Sequence, residues 1–274
     1  MAQLMLDFGN SYKETVSMVL ANLRQSRLKE ERTKSYCELL NRELLMALSG
    51  KPRHDCCCQT RPPGAANSWL ECLFKSNGIE PLEFVSRLER VMNKVDNKVN
   101  CIVLYGPTNT GKSLLCKIMT EFLLTGTINR RSENSNFAFE NLLDRSVAIL
   151  EEPKINAANA NDMKQLLGGE AFEVSVKYKP MQYLQRLPVI VTTNEYLGCR
   201  LPDVDAAALE SRYYQYTFST QIASTTVDGE LDAAPCKICT CDWAHFYNTL
   251  HEGPNRNKEN VPPSLDWLPD TQPL

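Results

Sequence analysis

The sequence predicts an α/β fold: a parallel sheet flanked by helices, preceded by a helical N-terminal region. Short apolar runs at 101–105, 146–150 and 188–191 each stop abruptly at a glycine or a group of polar residues, as buried parallel strands do where they open into a site. Helical periodicity lies between and around them. The residues at the end of the first run follow a spacing that has one main chemical meaning.

In chain order, residues 11–48 carry apolar side chains at helical spacing (Tyr12, Val16, Val19, Leu20, Leu23, then Tyr36, Leu39, Leu40, Leu44, Leu45 and Leu48) around a charged middle, which predicts two or three helices. Residues 11–54 hold nine Lys/Arg against five Glu, either a solvated helix face or a local contact for nucleic acid. Residues 49–67 contain Gly and Pro without periodicity and read as a linker between two units. His54 beside Cys56, Cys57 and Cys58 lacks the two-residue separation that lets a chain wrap a tetrahedral ion. Helical patterns return at 69–75 and 82–92.

The run Cys101-Ile102-Val103-Leu104-Tyr105 then enters Gly106-Pro107-Thr108-Asn109-Thr110-Gly111-Lys112-Ser113, which fits GxxxxGK[S/T] without a mismatch. Leu114, Leu115, Ile118, Met119, Phe122 and Leu123 recur on one helical face behind it, giving the strand–loop–helix context the motif requires. The glycines let successive backbone N–H groups turn toward phosphate oxygens at the positive helix end. Lys112 is expected to reach the terminal phosphates of ATP, and the Ser113 hydroxyl to ligate Mg2+.

A polar connector is expected over 126–136. The second strand, 146–150, ends in Glu151-Glu152-Pro153. Hydrolysis needs one carboxylate on the metal and another to orient or deprotonate the attacking water, roles that fit Glu151 and Glu152 in turn. The third strand, 188–194, ends in Asn194, a polar group suited to sensing the γ-phosphate. Between them the alternating segment 172–184 reads as a β-hairpin with a Pro-containing turn. Lys177, Tyr178 and Lys179 near its tip suit phosphate contact and base stacking, or serve as charged protection of an edge strand.

At the C-terminal end, Cys236, Cys239, Cys241 and His245 form a weak zinc candidate, against which Trp243, Phe246, Tyr247 and Leu250 read as an ordinary amphipathic helix. Residues 253–274 are rich in Pro and Asn and predict a flexible tail. The domain organisation expected is therefore 1–67 helical region and linker, 68–252 nucleotide domain, and 253–274 tail.

Bulk composition agrees with an intracellular globular chain. Hydrophobic content is 43%, and no apolar run is long enough for a spanning helix. Eleven cysteines scattered through 274 residues around a nucleotide loop point to reduced thiols rather than a disulfide scaffold. A net charge of −3 provides no global field for nucleic acid, so any such contact is local.

Taken together, GPTNTGKS, AILEEP, MKQLLGG with the hairpin VKYK, PVIVTTNE and LESRYYQYTF, in this order and compactness, resemble superfamily 3 helicases, and among them the replication proteins of parvoviruses and adeno-associated viruses, over 69–250. The resemblance implies an AAA+-like ATPase working as a hexameric ring in viral DNA replication, in the host nucleus. It implies single-stranded DNA contacts by Lys177, Lys179 and Lys164, and an arginine finger, Arg212, directed at a neighbour's nucleotide. Such proteins also carry a His-x-His nicking site, whereas the histidines here are His54, His245 and His251. Nicking is therefore expected from another protein or domain. The competing expectations are an oligomeric ATPase that packages genomes or remodels protein without unwinding, and a nucleotide-regulated assembly factor.

Overall fold

A computed structural model describes residues 2–51, 62–128, 137–222, 234 and 237–252, with side chains from residue 13 onward. Five parallel strands form the central sheet: β1 (Cys101–Tyr105), β2 (Thr125–Thr127), β3 (Val147–Glu151), β6 (Val189–Thr193) and β7 (Tyr213–Thr217), in the order β2-β3-β6-β1-β7. A separate antiparallel hairpin, β4 (Phe172–Val176) with β5 (Lys179–Leu184), lies between β3 and β6 in the chain.

Strand alternation divides the core into two layers. Ile102 and Leu104 of β1 face α2 (Tyr36–Leu48), α3 (Asn67–Ser76), α4 (Pro81–Met92), α5 (Lys112–Thr120) and α8 (Thr240–Glu252). Cys101 and Val103 face the opposite layer, built from α6 (Ala160–Gly168), α7 (Asp203–Glu210) and the hairpin's inner residues. The central strands are therefore apolar on both faces, as their uninterrupted hydrophobic runs require.

Two strands lie where the sequence signalled none. β2 occupies the start of the expected connector, and the neighbouring residues 129–136 lie outside the described residues. Thr125, Gly126 and Thr127 have no apolar pattern; their pairing with Val147, Ala148 and Ile149 holds them. β7 is a run of tyrosines and polar residues whose pairing with β1 supplies its backbone partners. The hairpin turn falls at Lys177–Tyr178, while Pro180 lies inside β5, a correction to the Pro-containing turn. A two-stranded hairpin leaves an outer N–H position unpaired, so Pro is tolerated there.

The helices before residue 49 are not packed as a separate unit. α1 (Ala2–Thr33) is fastened near its end: Glu31 Oε2 accepts from the Leu124 N–H at 2.7 Å, and Arg27 Nη2 donates to the Phe122 carbonyl at 2.8 Å. α2 begins at a capping box in which Ser35 and Glu38 exchange hydrogen bonds, satisfying two otherwise orphaned donors. Tyr36 accepts from Trp243 Nε1 at 2.9 Å and donates to the Met119 carbonyl at 3.0 Å, tying α2 to α8 and α5. Leu40 is fully buried in the same cluster as Ile102. Leu40→Ala is expected to lower the unfolding free energy by about 2–5 kcal/mol and to move the single denaturant transition of the whole chain. An unshifted main transition, with a separate small one for the N-terminal helices, would count against this shared core.

Candidate functional site

The carboxyl ends of β1, β6 and β3 lie side by side, with Tyr105 opposite Thr193 and Glu151 opposite Thr192. A crevice at this edge of a parallel sheet is where α/β folds bind ligands. The ladder continues one residue past each strand: Gly106 N–H donates to the Thr193 carbonyl at 3.0 Å and Glu152 N–H to that of Thr192 at 2.8 Å. This brings the phosphate-loop residues, the glutamate pair and Asn194 into one place.

Gly106 has φ +145°, and a methyl group on it would collide with the Phe218 carbonyl oxygen, so only glycine fits. Gly111, at φ +85°, ends the loop immediately before α5. Pro107, Thr108 and Asn109 are exposed along the loop, and Ser113 is exposed in the first turn of α5. Thr110 Oγ1 donates to the Pro107 carbonyl at 3.0 Å. Asn109 exchanges two hydrogen bonds with Ile222: its carbonyl accepts at 2.8 Å and its side-chain amide donates at 2.7 Å. Asn77 Oδ1 holds the neighbouring Ser219 and Thr220 N–H groups at 2.7 and 2.9 Å. The strap 218–222 therefore braces the phosphate loop from outside, a contribution with no sequence motif.

Lys112 is 6% exposed, and its ammonium is held by the Gly106 and Pro107 carbonyls and by Asn194 Oδ1 at 3.1 Å. Burial pushes its pKa below the usual lysine range, while the Glu152 carboxylate pulls it back up. Glu152 Oε2 in turn accepts from the Asn194 N–H at 3.1 Å. Lys112, Asn194 and Glu152 thus form one chain of contacts across three adjacent strand ends. Glu152 has φ +48°, a left-handed conformation that strains a residue with a Cβ and aims its carboxylate back across β6. Glu151, exposed at the end of β3, stands beside it.

Arg212 lies at the opposite edge of the sheet. Tyr213 pairs with Cys101, so Arg212 sits level with Asn100, six residues before Gly106 and about 20 Å away at strand rise. Its Nη1 donates to the Ala208 carbonyl. Lys164, on α6, is paired with Asp205 at 3.0 Å and is largely covered, so it is not a free cation in this chain. Lys177 and Lys179 flank an exposed turn, with Tyr178 93% exposed at φ +61° and Lys177 Nζ lying 5.2 Å from its ring centroid.

Cys239 and Cys241 are buried against Ala47 and Leu44, and His245 Nδ1 is 2.9 Å from Asn67 Nδ2. Cys236, His54 and Cys56–Cys58 lie outside the described residues. Among the described residues no group of three His, Cys, Asp or Glu side chains has metal-binding geometry, and no helix is long and apolar enough to cross a membrane.

The family model for parvovirus non-structural protein NS1 matches residues 66–251. The chain belongs to this family. The initiator protein NS1 of Aedes albopictus densovirus is 30% identical over 202 residues, covering 70% of this chain and 24% of that protein. Replication protein E1 of human papillomavirus type 48 is 28% identical over 198 residues, covering 71% of this chain and 32% of that protein. This member of the NS1 family thus spans about a quarter to a third of the length of those relatives. The X-ray structure of JCV helicase superposes with a TM-score of 0.55 at 20% identity, covering 80% of this chain and 62% of that one, which establishes the shared fold.

Proposed function

We propose that this chain is the ATP-hydrolysing helicase module of a viral DNA replication protein, acting as a ring of identical subunits on single-stranded DNA. The observation that carries the reading is the contact chain Lys112–Asn194–Glu152, which links the phosphate loop to a carboxylate able to act on water. In the proposed reaction, loop N–H groups from Gly106 to Ser113 and the Lys112 ammonium bind the ATP phosphates. The Lys112 ammonium exchanges its carbonyl partners for phosphate oxygens, and Asn194 follows the γ-phosphate through its link to that ammonium. Glu152 turns from the Asn194 N–H to the attacking water and takes its proton.

Ser113 and Glu151 fit a hard cation: a hydroxyl and a carboxylate, both exposed at the same crevice. They would hold Mg2+, which supplies charge neutralisation at the transferred phosphoryl group.

Arg212 is too far from its own loop to reach a phosphate there, so it acts on the nucleotide of a neighbouring copy. Head-to-tail contacts of that kind close into a ring, for which we propose six subunits. The exposed Met18, Val19, Leu20 and Leu23 on α1 would add a helical collar contact between copies. The hairpin projects Lys177, Tyr178 and Lys179 into the channel to grip the strand. Lys164 could join them only after releasing Asp205. We propose the host nucleus as the working compartment and a separate protein or domain as the source of origin nicking.

The decisive experiment measures ATP hydrolysis with and without a single-stranded oligonucleotide, for the wild type and for Lys177→Ala/Lys179→Ala, while light scattering reports the assembled mass. Stimulation by DNA that is lost in the double variant, with basal turnover retained, is the expected result. Turnover indifferent to both DNA and the lysines would leave an ATPase that packages genomes or remodels protein.

A further inference from the structure

Asn100, the fully buried residue before β1, joins three parts of the molecule that the proposed motor must keep in step. Its N–H is shared between the Leu167 carbonyl at 3.1 Å and the Arg212 carbonyl at 3.2 Å. Its side-chain amide donates to the Leu166 and Leu187 carbonyls at 3.3 and 2.7 Å, and its Oδ1 accepts from Arg186 Nε at 2.9 Å. Its own carbonyl accepts from the Val189 N–H at 3.0 Å. Leu166 and Leu167 close α6 just before the hairpin's first strand, whereas Arg186 and Leu187 follow its second. Both roots of the hairpin and the backbone of Arg212 therefore converge on one side chain and its peptide group.

The packing leaves no slack between them. A methyl group on Gly168 would lie 3.2 Å from Arg212 Nε. One on Gly169, at φ +73°, would lie 2.5 Å from Arg186 Nε and 2.9 Å from Asn100 Cγ. The Gly168–Gly169 pair thus lets the arginine stem, the α6 terminus and the asparagine touch without an intervening side chain. A displacement of the Arg212 backbone relative to β1 has to break the shared Asn100 N–H bonds or carry the 166–169 turn with it. A buried amide with all its groups bonded resists the first course, and close-packed elements favour the second.

We infer that Asn100 is the positioning residue that couples the Arg212 element to the DNA hairpin of the same subunit. The neighbour's nucleotide state, met by Arg212, is passed through Asn100 to Leu166, Arg186 and Leu187, and so to both hairpin roots. This rests on the proposed reading of Arg212 as acting in trans and of the hairpin as the DNA grip. It adds a residue outside every motif, and a route between the two sites.

The test compares basal and DNA-stimulated ATP hydrolysis in Asn100→Ser and Arg186→Lys, with oligonucleotide affinity and thermal melting measured on the same samples of the 274-residue chain. Asn100→Ser removes the carboxamide and with it the bonds to Leu166, Leu187 and Arg186. Arg186→Lys keeps the charge and removes the Nε–H donor, so it stays informative if the first variant fails to fold. The expected result is basal turnover and DNA affinity near wild type with stimulation by DNA reduced about fivefold or more. Undiminished stimulation in a folded variant would overturn the inference, as would an equal fall in basal and stimulated rates, which marks a merely structural role. A wild type that ignores DNA would defeat the underlying helicase reading instead, and the coupling with it.

Discussion

Arg212→Ala is expected to reduce ATP turnover by about a thousand-fold or more while leaving nucleotide affinity nearly unchanged. An arginine that meets the phosphoryl group only as charge develops contributes to the transition state and little to ground-state binding. On the proposed reading the effect is intermolecular, because Arg212 is level with Asn100, at the end of the sheet remote from its own phosphate loop. Mixing therefore gives a stringent check. Arg212→Ala subunits retain an intact crevice, and Glu152→Gln subunits retain an intact arginine, so co-assembled rings contain some interfaces with both. Recovery of hydrolysis on mixing two nearly inactive preparations is the expected outcome. Mixtures no more active than their components, at a mass that proves co-assembly, would mean that Arg212 does not act across the interface.

Glu152→Gln is expected to lower hydrolysis by about a hundred- to ten-thousand-fold and to trap bound ATP. The amide oxygen of Gln can still accept from the Asn194 N–H, so the contact at 3.1 Å and the fold persist while the ability to take a proton is lost. Glu151→Gln provides the contrast: a weakened metal ligand should raise the Mg2+ concentration needed for half-maximal turnover, an effect that excess Mg2+ partly reverses. Nucleotide-retention assays and a Mg2+ titration separate the two carboxylates. Equal responses from both variants would remove the division of labour between them. If Glu152→Gln keeps full replication function without hydrolysis, the chain is a nucleotide switch rather than a motor.

Much of this site is legible without coordinates, because its polar residues lie in three short stretches, each at the end of an apolar strand. The phosphate loop needs Gly106 and Gly111 at fixed spacing for its backbone to curl, and Lys112 and Ser113 follow them on the same helix start. Glu151, Glu152 and Asn194 stand at the ends of apolar strands, and a parallel sheet brings strand ends together. The hairpin was legible from alternation, but the location of its turn was not: Pro180 suggested a turn, and the free edge of β5 instead accommodates it.

Long-range pairing made the other decisions. Gly126 and its threonines become a strand only through β3, and the tyrosine-rich β7 only through β1, because neither segment has a pattern of its own. The residues before 49 look separable in sequence, with a Gly/Pro stretch after them, yet Tyr36 and Leu40 complete the core around β1, since α8 returns from far along the chain to cover them. Lys164, for which the resemblance implies a DNA contact, is instead paired with Asp205, 41 residues later. Asn100 has no signature at all: a lone asparagine before a strand acquires its role from partners at 166–167, 186–187 and 212. The sequence by itself determined the α/β class and which polar residues stand at the strand ends, because local backbone requirements and residue type are sufficient there. Tertiary structure alone decided which distant segments share that sheet and how the two ends of the site are joined, because those contacts depend on which surfaces the folded chain brings face to face.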